Sequence, residues 1–366
     1  MNIVDRTYDL ISRGRSPNRP PSIPTGYSKY DVNIYGIRQG QYILIGGETG
    51  TGKSYLVRST YIHNVYNHFK RINDPSVLDV QFVDFSLEIP AEINLSHAIT
   101  RKLWEEHRKV LPVSKLHSWE EARLSQEDFD LASGFKEYFY EMHRKLAVID
   151  QETTPQIFHD VLMEVALTNG TFSSSGSDIS RCGVYTPHNP NKFIIVLFDT
   201  LNLADMEESY AKAVMDRISR YAVWFRNKCN FTFIIVQQFN SDMDAASRSG
   251  QRDRGFQQPV LKDFMDTTRP TKDANVVIGL YAPYKHYKPP TGLSVTAETE
   301  QRARLFRGYD ILRLQDWFVS LHVMKNRYGR PSIWLPLKFD GELGLFTDLP
   351  HALNMNDEEY RKATNH

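Results

Sequence analysis

Apolar residues in this chain fall into short unbroken runs, separated by longer stretches in which they recur every three or four positions. Residues 42–45 and 193–198 are runs of the first kind, too short for helices and rich in β-branched side chains, as in strands covered on both faces. The pattern predicts strands over 41–46, 78–86, 146–150, 193–199, 231–238, 275–281, 319–325 and 332–337. It predicts helices over 54–70, 91–109, 126–144, 154–168 and 207–228. In the last of these Val214, Ile218, Tyr221 and Phe225 repeat at helical spacing and mark a face turned to the core. Strands and helices alternate from about residue 25 to about 340, the order of a mainly parallel sheet flanked by helices.

Outside that alternation the patterning changes. Residues 2–13 predict a short amphipathic helix with Ile3, Val4, Tyr8, Leu10 and Ile11 on its apolar side, and a Pro-rich stretch follows it. A helix this short cannot bury that side alone, so it packs on its own domain or on a neighbouring subunit. The expected organisation is a linker helix and linker over 1–24, one α/β domain over 25–350, and a polar, frayed tail over 351–366. Residues 170–192, 241–259 and 282–304 read as polar or Pro-rich loops, long enough in a compact domain to suggest function or disorder.

Composition narrows the class. Of 366 residues 41% are hydrophobic, enough for a sizeable core, and 44 basic residues balance 44 acidic ones. A net charge of zero disfavours a monomer that holds nucleic acid by bulk electrostatics, so any such contact has to come from local loops, gathered in a ring for instance. Cys182 and Cys229 are the only cysteines, which excludes a disulfide framework or a CxxC zinc knuckle. The N-terminus is too polar for a signal peptide, and the longest apolar runs are strand-sized. These features predict a soluble intracellular protein without a membrane partner.

The chemistry enters at Gly47-Glu48-Thr49-Gly50-Thr51-Gly52-Lys53-Ser54, a complete GxxxxGK[ST] phosphate loop between a predicted strand and a predicted helix. In that setting backbone N–H groups and the helix N-terminus cradle phosphates, Lys53 neutralises their charge, and the Ser54 hydroxyl ligates Mg²⁺. The motif predicts a nucleoside triphosphate site, with ATP and Mg²⁺ as ligands; the bland alternative is a glycine-rich turn with a surface lysine.

Hydrolysis needs further groups. Asp199 ends the apolar run 193–198 in the Walker B manner and is expected beside the phosphate loop as a metal ligand. Glu88 follows the strand ending at Ser86, read as the neighbour of the phosphate-loop strand, where a carboxylate can act as general base. Read alone, Glu88 fits a helix N-terminal charge better than a base. Gln237 and Gln238 end another strand, where an amide can sense the γ-phosphate.

The order of these segments resembles the C-terminal motor domain of DnaB-type replicative DNA helicases, within the RecA-like ATPases. Ser86-Leu87-Glu88-Ile89-Pro90 is similar to the family's Ser-Leu-Glu-Met-Pro, and Pro24-Thr25-Gly26-Tyr27 to the start of its motor domain. Gln237-Gln238-Phe239-Asn240-Ser241 stands for Ser-Gln-Leu-Asn-Arg, Asp273-Ala274-Asn275-Val276-Val277 for Asp-Ala-Asp-Val-Val, and Lys325-Asn326-Arg327-Tyr328-Gly329 for Lys-Gln-Arg-Asn-Gly. The resemblance spans roughly residues 24–340. It implies a RecA-like P-loop ATPase fold, preceded by a short linker helix, with Glu88 as catalytic base and Asp199 as Walker B acid. It also implies that Gln238 couples the γ-phosphate to DNA-facing loops and that Arg327, with Lys325, reaches the ATP of the adjacent subunit. Otherwise these two cations belong to a solvated basic turn.

Two departures bear on function. The family's Arg after Asn is Ser241, and its Asp-Leu-Arg-Glu-Ser-Gly loop reads Asp263-Phe264-Met265-Asp266-Thr267-Thr268, without the Arg and Gly. Arg248, Arg252, Arg254, Arg269 and Lys272 are candidate substitutes as DNA phosphate contacts, or simply solvated arginines and a lysine. The primase-binding helical domain that precedes the family's motor has no counterpart before residue 2–13, which suggests a reduced, phage-encoded or mobile-element form. The expected function is a ring-forming, hexameric ATP hydrolase and DNA helicase that moves on single-stranded DNA during replication. Its expected partners are single-stranded DNA, further copies of itself, and a primase or loader, in the cytoplasm of a bacterial or phage-infected cell. The alternatives are a RecA-like recombinase, another DNA-dependent ring ATPase without unwinding, or an ATP-bound scaffold.

Overall fold

The computed structural model describes residues 3–15, 22–119, 122–174, 182–201, 211–240, 258–264, 268–287, 301 and 304–365. Its strands are β1 (Tyr42–Gly47), β2 (Asp79–Ser86), β3 (Leu146–Ile149), β4 (Gly170–Phe172), β5 (Tyr185–Pro187), β6 (Lys192–Asp199) and β7 (Thr232–Gln238). They continue with β8 (Val276–Tyr281), β9 (Leu305–Phe306), β10 (Tyr309–Asp310), β11 (Phe318–Asn326), β12 (Ile333–Asp340) and β13 (Leu345–Asp348). Among the described residues nine of these form one sheet in the order β13-β12-β11-β8-β1-β7-β6-β2-β3. The run from β3 to β8 is parallel, and β11, β12 and β13 add to it as an antiparallel edge. The eight expected strands are all present, in the expected α/β architecture.

Alternation along the central strands explains why β1, β6 and β7 are largely apolar on both faces. Ile43 and Ile45 of β1, Ile195 and Leu197 of β6, and Ile234 and Val236 of β7 enter one core. Their neighbours Tyr42, Leu44, Ile194, Val196, Phe198, Phe233 and Ile235 enter a second core on the opposite face. Helices Lys53–Arg58 and Ala91–His107 supply the first core; helices Pro155–Asn169 and Ala211–Cys229 supply the second. Each such aliphatic or aromatic side chain contributes about 1.5–3 kcal/mol by burial. A charge at Ile45 or Ile235, both wholly buried, would break one core directly.

Several expectations change. Strand β2 is not the neighbour of β1, because β7 and β6 lie between them. The helix expected over 126–144 is two helices, Gln126–Ser133 and Lys136–His143, parted at Gly134. Part of the loop expected over 170–192 is the antiparallel pair β4–β5. The tail does not fray: Asn356 accepts a hydrogen bond from the Glu359 amide and caps a helix over Asp357–Ala363. That helix buries Tyr360 and Ala363 in a third core with Tyr281, Tyr309 and Phe318. The N-terminal helix spans Ile3–Gly14, with Val4, Tyr8 and Ile11 exposed along one side. Both cysteines are buried and neither is in a disulfide, and no helix among the described residues is long and apolar enough to cross a membrane.

Candidate active site

Strand β1 ends at Gly47, and the chain turns through the phosphate loop into the helix Lys53–Arg58. Gly50 and Gly52 adopt φ of 74° and 81°, the left-handed region that favours glycine. At Gly52 a β-carbon would come within 2.8 Å of both Phe339 and Phe346, a stacked pair on β12 and β13 with centroids 4.5 Å apart. The loop is therefore built around backbone. Lys53 is buried, and its Nζ donates to the Glu48 carbonyl at 2.8 Å, as does the Thr51 hydroxyl. Burial lowers the Lys53 pKa, and the Glu88 and Asp199 carboxylates oppose that shift, so the three charges share one field.

Asp199 closes β6 and is wholly buried. Its Oδ2 accepts from Arg58 Nη1 at 2.6 Å, while its Oδ1 is buried with no hydrogen-bond partner among the described residues. Glu88 lies two residues beyond β2, on an exposed turn. Partial desolvation of its carboxyl group raises its pKa, Asp199 raises it further, and Lys53 and Arg58 act in opposition. Glu88 thus joins the site although β2 is three strands from β1: Ser86 is in register with Asp199 across β2–β6. Gln238 is the register partner of Gly47 across β1–β7, beside the loop itself. Gln237 points elsewhere, its Nε2 donating to the Phe264 carbonyl.

Lys325 and Arg327 lie at the other end of the sheet. Lys325 Nζ donates to the carbonyls of Thr271 and Lys272 at 2.7 and 2.8 Å, and Arg327 Nη2 donates to Lys272 O at 2.9 Å. Lys325 pairs with Val277, near the start of β8, whereas Gly47 pairs with Leu280, near its finish. The strand from Asn275 to Leu280 is itself roughly 17 Å long, so neither cation reaches the phosphate loop of its own chain. Arg269 and Lys272 belong to the short helix Arg269–Asp273 at this same end, with Arg269 paired to Asp273 at 3.1 Å. Arg248, Arg252 and Arg254 lie outside the described residues.

Sequence reasoning missed four residues. Arg58 and Asp84 form a buried pair, Nε to Oδ2 at 2.9 Å, and the available signal was two opposite charges at core positions of a helix and a strand. Lys285 and His286 follow β8 and grip the phosphate loop, Lys285 Nζ at Thr49 O (2.9 Å) and His286 Nε2 at Glu48 Oε2 (2.6 Å). Beside Gly50 opens a cavity of about 340 Å³, walled by Lys285, Asp316, Trp317, Val319 and Phe339. The residues fit a nucleoside triphosphate with Mg²⁺. The glycines let the backbone take a course that β-carbons would block, Lys53 is held at the loop, and Asp199 Oδ1 is a buried acceptor without a donor among the described residues. Among the described residues no cluster of His, Cys, Asp and Glu could hold a metal alone. A metal here would be shared with phosphate oxygens, as suits Mg²⁺.

The architecture is that of the RecA-like ATPase domains found in DnaB-type helicases. Among solved structures it is similar to a DnaB-like replicative helicase described with its interactions with primase, at 17% identity and a TM-score of 0.61, over 95% of this chain and 66% of that one. It is also similar to the ATPase domain of G40P, at 16% identity and a TM-score of 0.62, over 95% of this chain and 97% of that one. At these identities the likeness is one of fold, and the chain spans 66% of the length of the DnaB-like helicase. The sequence matches no protein-family model and no curated protein.

Proposed function

We propose that this chain is the motor of a ring-forming, ATP-driven DNA helicase that translocates on single-stranded DNA and separates duplex during replication. One observation carries the reading: Lys53, Glu88, Asp199 and Gln238 gather at one end of the sheet, and Lys325 and Arg327 stand at the other. A site so divided is completed between protomers, which favours a closed ring, most simply a hexamer.

In this reading the phosphate-loop amides and Lys53 hold the β- and γ-phosphates of ATP, and Ser54 and Asp199 hold Mg²⁺. The metal ion when bound supplies charge neutralisation at the phosphate oxygens. Glu88, with its raised pKa, orients and deprotonates the attacking water. The cavity walled by Trp317 and Phe339 takes the nucleoside end. Arg327 and Lys325 of the adjacent protomer stabilise the charge on the transferred phosphoryl group, and Gln238 passes the state of the γ-phosphate to the loop after β7. Residues 1–24 act as an arm docking the exposed Val4, Tyr8 and Ile11 on the next subunit, and 25–365 form the motor. Arg248, Arg252, Arg254, Arg269 and Lys272 are the proposed backbone contacts to DNA, with a primase or loader as further partner in a bacterial or phage-infected cell.

Unwinding of a forked duplex by purified protein with ATP and Mg²⁺, imaged in parallel by electron microscopy, tests the reading. Closed rings that unwind support it. Open filaments that exchange strands would replace it with a recombinase, and rings that hydrolyse ATP on DNA without unwinding would leave a DNA-dependent ring ATPase.

A further inference from the structure

Arg58 is the last residue of the helix that begins at Lys53, and it is buried with all three guanidinium nitrogens engaged. Nε and Nη2 donate to the two oxygens of Asp84 at 2.9 and 3.2 Å, Nη2 donates also to Ser86 Oγ at 2.9 Å, and Nη1 donates to Asp199 Oδ2 at 2.6 Å. Directly after Arg58 the helix widens into a π-helical turn over Ser59–His63, an irregularity common at functional sites. Ser86 in turn donates to the Ile89 carbonyl and accepts from Asn94 Nδ2 at 2.8 Å, which closes the turn holding Glu88. One planar group thus joins the phosphate-loop helix, the strand end bearing Asp199 and the turn bearing Glu88.

A purely structural role explains this arrangement poorly. Two carboxylates oppose one guanidinium inside the sheet, and well-packed apolar side chains stabilise such a position as well or better. Asp199 Oδ1, buried without a hydrogen-bond partner among the described residues, makes sense if a cation is to arrive. We propose that Arg58 is a positioning residue that holds Asp199 by Oδ2, keeps Oδ1 for the nucleotide-bound Mg²⁺, and fixes the Glu88 turn relative to the phosphate loop. Asp84 fixes Arg58. The assignment rests on the nucleotide reading above and extends it to residues outside the motif.

The test uses the full chain and a fluorescent ATP analogue titrated with Mg²⁺. The variants are Arg58→Lys, which keeps the charge but not the fork, and the double variant Arg58→Met with Asp84→Leu, which removes one charge of each sign and keeps the site packed. Asp84→Asn, which loosens Arg58 but leaves its contact with Asp199 in place, is the graded comparison. Expected for the Arg58 variants are unchanged analogue binding in EDTA, a rise of roughly 10–100-fold in the Mg²⁺ needed for half-maximal tightening, and a similar fall in kcat with KM for ATP little moved. Asp84→Asn should shift the Mg²⁺ dependence in the same direction and by less. Folded Arg58 variants with wild-type Mg²⁺ dependence, or an Asp84→Asn variant that shifts as far as they do, would overturn the assignment alone. Wild-type protein that binds no nucleotide would overturn the nucleotide reading and this proposal with it.

Discussion

Arg327 donates to the carbonyl of Lys272 at 2.9 Å, at the end of the sheet remote from its own Lys53. If the cation acts on a neighbour, Arg327→Ala and Glu88→Gln damage different halves of the same interface. Each variant alone should bind nucleotide and lose on the order of 10²–10⁴ in turnover. Mixed before assembly, they should recover part of the ATPase rate, because some interfaces combine an intact Glu88 with an intact Arg327. Steady-state ATPase of the mixture, compared with the sum of the separate variants, decides the matter; no recovery at any mixing ratio argues for a finger acting within one chain.

Lys325 should give the enzyme an alkaline limit. Burial, reinforced by the nearby Arg327, pushes its pKa down from 10.5 to about 8. A lysine whose value is depressed by folding is disfavoured in its charged form. Its cost to stability is therefore constant below about pH 8 and fades as the pH climbs toward 10.5. In the role proposed for Lys325 activity should run the other way, since that role needs the ammonium, which is lost across that window. ATPase should decline above about pH 8 while this group's contribution to thermal stability improves. In Lys325→Arg, whose guanidinium stays charged, the alkaline decline should flatten. A pH–rate profile identical in the two proteins would remove Lys325 from the reaction.

The sheet was readable from the chain because parallel strands covered on both faces leave uninterrupted apolar runs such as 193–198. The phosphate loop was readable because its glycines are demanded by backbone geometry. Neighbour relations were not: nothing local in residues 79–86 says that β7 and β6 stand between them and β1. The tail misled for a related reason. Asp357-Glu358-Glu359-Tyr360 is polar by count, yet its one aromatic is what a distant core of Tyr281, Tyr309 and Phe318 receives. Arg58 and Asp84 carried a signal, opposite charges at core positions, but each makes sense only beside the other. Lys285 and His286 reach the phosphate loop from more than two hundred positions away, where no spacing rule applies.

Gly52→Ala tests whether the aromatic pair behind the loop is as unyielding as its packing implies. A β-carbon there faces both a left-handed backbone cost of about 1–2 kcal/mol and two ring carbons at 2.8 Å. Phe339 and Phe346 are stacked on one another, so neither can retreat without losing the other. The variant should lose at least tenfold in nucleotide affinity by fluorescence titration. Its melting temperature should fall by a few degrees. Wild-type affinity would mean that the β12–β13 edge moves freely against the loop.

Tyr360 makes the last case, because it decides whether the end of the chain is structure or appendage. Its hydroxyl accepts the Asp310 amide at 2.9 Å, and the Arg313 guanidinium lies 3.9 Å from its ring centroid. The helix that carries it is tied to the sheet edge by Lys338, whose Nζ donates to the Lys362 carbonyl at 3.3 Å. Truncation to alanine removes a buried ring and leaves the Asp310 N–H without an acceptor, a combined cost of about 3–5 kcal/mol. That corresponds to a melting temperature lower by roughly 4–7 °C. Because this third core also holds Tyr281 at the end of β8, four residues before Lys285 and stacked on His286, the loss should spread to the grip on the phosphate loop. Tyr360→Ala should therefore weaken nucleotide binding even at temperatures where the protein remains folded, whereas Tyr360→Phe should keep affinity and lose only the hydrogen bond's share of stability. Calorimetry and nucleotide titration on the two variants separate these outcomes, and an alanine variant with full affinity would show the third core to be independent of the site.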